Sequence, residues 1–170
     1  MHQEFQGPYL TNDGNVCSLK TLLQKEFVLI YFWRSDSPKM VEFSELLMKW
    51  YLELRELPNS KHIVEIVTAP VVASEAAHKE FTDETPWISL PLHDPRIEEF
   101  REKYELEWEE SDSHLPRILV LSPQPRTLLF VSDEGVAAIE SSLAQGVMDL
   151  PIEKWRKLRN RQLERMGLFI

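Results

Sequence analysis

Phe27-Val28-Leu29-Ile30-Tyr31-Phe32-Trp33, running into Arg34-Ser35-Asp36-Ser37-Pro38-Lys39-Met40, is the stretch on which the fold of this chain turns. The first seven residues are apolar, β-branched or aromatic without alternation, the pattern of a strand buried on both faces. From Met40 the period changes. Met40, Phe43, Leu47, Trp50 and Leu54 recur at three- and four-residue spacing, which places them on one face of a helix with Glu42, Glu45, Lys49 and Glu53 largely on the other. Ser37-Pro38 marks the helix start, because a serine oxygen caps an orphan N–H and proline at the first helical position sacrifices no bond. The unit reads as strand, turn, helix.

Working outward, Tyr9-Leu10-Thr11 and Val16-Cys17-Ser18-Leu19 flank Asn12-Asp13-Gly14-Asn15 as a short hairpin, since Asp-Gly supplies positive φ. A short helix over 19–24 follows. Downstream, Pro58-Asn59-Ser60 ends the long helix and Ile63 to Thr68 is a second buried strand, so the spacing predicts a right-handed βαβ crossover. Ser74 caps a helix bearing Ala76, Ala77 and Phe81, closed by Thr85-Pro86. Asp94-Pro95 opens another, with Ile97, Phe100 and Tyr104 inward. Arg117 to Leu121 and Thr127 to Val131 form an antiparallel hairpin, and Gly135 to Leu143 is a small helix. In the last segment Asp149 and Pro151 begin a helix carrying Ile152, Trp155, Leu158 and Met166 on one stripe, with Lys154, Lys157, Arg161 and Arg165 beside it. The expected architecture is a single α/β domain over 1–170, with a core at about 9–155, a central mixed β-sheet flanked by helices, and an extra C-terminal helix at about 151–167.

Composition narrows the function. The chain has 170 residues, a formal charge of -9 and a single cysteine. One thiol completes neither an internal disulfide nor a Cys-x-x-Cys pair. The negative charge argues against nucleic acid as a partner. No apolar run is long enough to span a bilayer, and the N-terminus lacks the pattern of a secretory signal. No His or Cys spacing suggests a metal, and the 5 glycines are too dispersed to cradle a phosphate, so no cofactor is expected.

Four segments resemble the thioredoxin superfamily, in particular its tryparedoxin and nucleoredoxin branch. Tyr31-Phe32 and Pro38 fit that branch's Tyr-Phe-x-x-x-Trp-Cys-Pro-x-Cys pattern. Ser37 stands at the nucleophilic position, Met40 at the resolving position and Asp36 at the tryptophan. Pro86-Trp87-Ile88-Ser89-Leu90-Pro91-Leu92 resembles Pro-Trp-Leu-Ala-Leu-Pro-Phe, with Trp87 and Leu90 read as core. His114-Leu115-Pro116-Arg117 resembles the loop in which a cis proline faces the Cys-x-x-Cys turn, and Asp149-Leu150-Pro151 resembles the module's ending. The resemblance implies a thioredoxin-like fold, a cis Leu115-Pro116 bond, a regulatory protein interaction, and a cytoplasmic or nuclear setting.

The chemistry of that family requires a thiolate at a helix N-terminus, and serine does not replace it. A hydrolytic serine needs a base, for which His114 is the one histidine expected near the turn, and no third member is evident. The sequence therefore suggests a redox-inactive binding or adaptor module with an unidentified protein partner; the alternative is a monothiol role through Cys17. Tyr31 replaces the buried acid of simple thioredoxins. Arg34, Lys39 and Arg117 are expected to converge on a basic rim around the vacated turn, with Met40 as an apolar contact. For the C-terminal helix three readings compete: packing onto the body, its basic stripe facing the acidic run Glu98 to Glu110; a partner-binding helix using Trp155, Leu158 and Arg161; or a membrane-surface or RNA helix.

Overall fold

A computed structural model describes residues 9–10, 16–17, 19–104, 116–123, 126–131 and 133–167. The elements in order are β1 (Tyr9–Leu10), β2 (Val16–Cys17), α1 (Leu19–Leu23), β3 (Phe27–Arg34), α2 (Pro38–Glu56), β4 (Val64–Val72), α3 (Glu75–Glu84), β5 (Ile88–Ser89), α4 (Pro95–Lys103), β6 (Arg117–Pro123), β7 (Arg126–Val131), α5 (Asp133–Gln145) and α6 (Leu150–Arg165). The strands form one seven-stranded sheet in the order β2-β1-β5-β4-β3-β6-β7. It is mixed: β3 runs parallel to β4 and antiparallel to β6.

The apolar run at Phe27 is continuous because β3 is buried on both faces. Phe27, Leu29, Tyr31 and Trp33 belong to one core with α2, α5 and α6, whereas Val28, Ile30 and Phe32 belong to a second with Leu22, Ile97 and Phe100. On α2 the five stripe residues are all buried, and Glu42, Glu45, Lys49 and Glu53 are exposed.

β4 outruns its expected end at Thr68 and continues to Val72 through Pro70. Beyond Thr68 it pairs only with β3, because β5 reaches no further, and a proline is tolerated where one edge carries no ladder. Ser74 caps α3 as expected, its Oγ accepting the Ala77 N–H at 3.1 Å. Ser37 and Asp149 occupy N-cap positions but make no side-chain cap hydrogen bond, a correction to the sequence reading. At α2 the Ser37 carbonyl instead accepts from the Met40 and Val41 N–H groups, and proline at N1 leaves one fewer orphan donor in the first turn.

α5 lies so close to β6 that a Cβ on Gly135 would come within 2.8 Å of Ile118 Cδ1. The helix ends at Gly146, φ +70°, where the Gly146 and Val147 N–H groups return to the Leu143 and Ser142 carbonyls. This turn presents the Met148 carbonyl to the Trp50 indole N–H at 2.9 Å and sends the chain into α6.

Candidate functional site

The turn between β3 and α2 closes on itself. Ser37 and Met40 are each only 1% exposed. The Met40 sulfur accepts the Arg34 backbone N–H at 3.1 Å, and the Met40 carbonyl accepts the Tyr31 hydroxyl at 3.2 Å. That hydroxyl also bonds Ser44 Oγ at 2.7 Å, and burial drives its pKa well above the usual tyrosine value. Met40 is thus a packing residue, which corrects its expected role as a contact for peptide.

Arg34 does not present a free cation to the rim. Its Nε and a terminal nitrogen donate to the two Asp36 oxygens at 3.0 Å each, and those hydrogen bonds raise its pKa further. Asp36, Pro38 and Lys39 are exposed. Arg117 begins β6 opposite Phe32, which by strand parity puts it on the same sheet face as Phe32, at the end of β3 that leads into the turn. The structure therefore brings Arg34, Lys39 and Arg117 to one end of the sheet, with Arg34 neutralised by a residue of the turn itself. His114 and Leu115 lie outside the described residues, and so do the Leu115-Pro116 bond and any pairing of Ser37 with His114.

Cys17 is far from this turn. It pairs with Tyr9 on β2, four strands from β3, or about 19 Å at the usual strand spacing.

The C-terminal helix packs on the body. Trp155 is fully buried, edge-on to Phe27 at 5.6 Å and to Trp50 at 6.1 Å, and Leu158 packs against the same core. Neither is a surface anchor, which corrects the partner-binding reading for Trp155. The cations that tie the helix down are Arg156 and Arg159, bound to Glu26 at 2.7 and 3.1 Å. Of the acidic run expected to face the helix, Glu98, Glu99 and Glu102 are exposed on α4, and residues 105–110 lie outside the described residues. Lys154, Lys157, Arg161 and Arg165 remain on the exposed side.

A feature the sequence reading passed over is a cleft of about 290 Å³ between α2 and α3, lined by Trp33, Val41, Ser44, Met48, Phe81 and three glutamates. Trp33 and Phe81 stack in it at 4.1 Å. The available signals were Val41 and Met48, apolar residues off the α2 stripe. Among the described residues no three His, Cys, Asp or Glu side chains group to hold a metal, and no helix is long and apolar enough to cross a membrane.

Comparison with known proteins agrees with this geometry. Residues 25–127 match a family model described as thioredoxin-like. A thioredoxin from Wuchereria bancrofti superposes with a TM-score of 0.63 at 21% identity, covering 82% of this chain and 92% of that one. Tryparedoxin I from Leishmania major gives 0.63 at 19% identity over 85% and 89% of the two chains. Native tryparedoxin I from Crithidia fasciculata gives 0.65 at 16% identity over 85% and 91%. At these identities the solved structures establish the fold, and the family match spans more than half of the sequence. The chain belongs to the thioredoxin-like family, and its structural neighbours include tryparedoxins.

Proposed function

We propose that this protein is a redox-inactive, nucleoredoxin-like member of its family that acts as a protein-binding or adaptor module. The observation that carries the proposal is the state of the turn: Ser37 and Met40, which the sequence resemblance sets at the two cysteine positions, are both buried. Thiol–disulfide exchange needs an accessible thiolate, and this turn offers neither the thiolate nor access to the position it would occupy. Cys17 does not supply it, since its strand stands four places away along the sheet.

What remains is a recognition surface. Lys39 beside the turn, Arg117 at the start of β6 and Arg161 on the outer stripe of α6 suit carboxylates of a protein partner through charge-assisted hydrogen bonds. Trp155 and Leu158 of the α6 stripe take no part, because both pack in the core.

Dithiothreitol-driven insulin reduction tests the first half. The expected result is turnover no faster than the uncatalysed background, unchanged in Cys17→Ser. Catalysis above background overturns the reading, and its loss in Cys17→Ser would identify a monothiol mechanism. Capture of partners by the native chain tests the second half, with Lys39→Glu and Arg161→Glu expected to diminish it.

A further inference from the structure

The cleft between α2 and α3 has the opposite character to the basic rim. Its floor is apolar, made by the stacked rings of Trp33 and Phe81 with Met48, and Val41 at its edge is 53% exposed. Its walls carry Glu45 from α2 and Glu80 and Glu84 from α3, all exposed. Four other carboxylates are paired at short range, Asp36 with Arg34, Asp83 with Lys79, Asp94 with Arg96 and Glu26 with Arg156, whereas the three of the cleft share one apolar trough. Among the described residues no ion pair or hydrogen bond reaches Glu45, Glu80 or Glu84. The lysine nearest them in sequence on α3, Lys79, is already held by Asp83 at 2.6 Å.

Three uncompensated negative charges around an apolar trough define their own complement. At about 290 Å³ the cleft lies at the lower limit of small-molecule pockets, roughly 300–1,000 Å³, so it accepts side chains better than an entire cofactor. We propose that it docks a basic, apolar peptide segment of a protein partner. An aliphatic side chain enters between Met48 and the Phe81 ring while flanking lysine or arginine groups meet Glu45, Glu80 and Glu84. The long stems of those cations cover Val41, and burial of apolar surface combines with charge-assisted hydrogen bonding. The cleft borders the turn through Ser35 and has no lining residue on α6, and it selects partner segments of opposite charge to those that suit the basic rim.

Fluorescence polarisation with labelled Arg-Leu-Leu-Arg-Lys, acetylated and amidated, tests the proposal on the full chain. Saturable binding is expected, weakened by about tenfold or more in Glu80→Lys/Glu84→Lys, whose exposed positions leave the fold intact by circular dichroism. Replacing both leucines of the peptide by serine should weaken it to a similar degree, on the order of tenfold. Lys39→Glu and Arg161→Glu should leave it unchanged, which separates this site from the surface proposed above. Absence of saturable binding, equal binding of the serine peptide, or indifference to the double charge reversal in a folded protein would each overturn the proposal.

Discussion

Replacing Trp155 with alanine should destabilise the protein heavily without touching the turn. Trp155 has no exposed surface and makes edge-to-face contacts with Phe27 and Trp50. A tryptophan buries on the order of 200 Å², which at about 25 cal/mol/Å² corresponds to roughly 5 kcal/mol, of which alanine retains a part. The cavity left between two rings and a helix adds to the loss, and large aromatic truncations typically cost about 3–5 kcal/mol. We take about 4 kcal/mol as the expected value, equivalent for a domain of this size to a fall in Tm of about 8–16 °C. Trp155→Phe should cost far less, because it retains a ring and removes an indole N–H that is buried without a hydrogen-bond partner. Urea unfolding followed by far-UV circular dichroism measures both without relying on the mutated fluorophore. A loss below about 1 kcal/mol for Trp155→Ala would refute the packing described for α6, since that is the range of surface substitutions.

Glu26 and Glu65 should tilt the pH dependence of stability in opposite directions. Burial raises the pKa of Glu26, but the Arg156 hydrogen bond and the charges of Arg156 and Arg159 outweigh it and hold the carboxyl below the ordinary range. Its contribution is therefore present above the ordinary glutamate pKa and lost as pH falls through the lowered folded value, so Glu26→Gln should flatten the acid limb of an unfolding curve. Glu65 is raised, chiefly by burial, despite accepting the Ile66 N–H and the Tyr51 hydroxyl at 3.0 Å each. Its penalty is absent below the ordinary pKa and fully present above the raised one, so Glu65→Gln should gain stability relative to the native chain as pH rises toward neutrality. Matching curves for both variants would show that neither carboxylate is placed as described. At the turn, a cysteine introduced by Ser37→Cys should react with Ellman's reagent only on unfolding, whereas one introduced by Lys39→Cys should react at once. Prompt labelling of the first would show that the position is accessible.

The local elements were legible because their signals are local. A run of β-branched and aromatic residues marks β3 whatever surrounds it, and the three-and-four spacing from Met40 to Leu54 selects one helical face by geometry alone. The family pattern likewise rests on short segments, and the single cysteine was visible without coordinates. Charge and exposure at those positions were not visible, because they depend on what the chain brings near from elsewhere. Arg34 looked like part of a basic rim until its side chain was found folded back on Asp36. Whether Trp155 packs on the body or anchors a partner stayed open, because amphipathic periodicity shows which residues share a face without showing what covers that face. Glu26 and Arg156 meet across 130 residues of sequence, beyond any local pattern. The cleft between α2 and α3 belongs to neither helix alone; it exists only where their packing leaves Trp33 and Phe81 stacked between them. Sequence by itself determined the strands, the helices and the single thiol, since these follow from the period and identity of neighbouring residues. Tertiary structure alone decided which charges are neutralised, which aromatics are buried and where a surface is left open, since each depends on distances between parts of the chain that no spacing encodes.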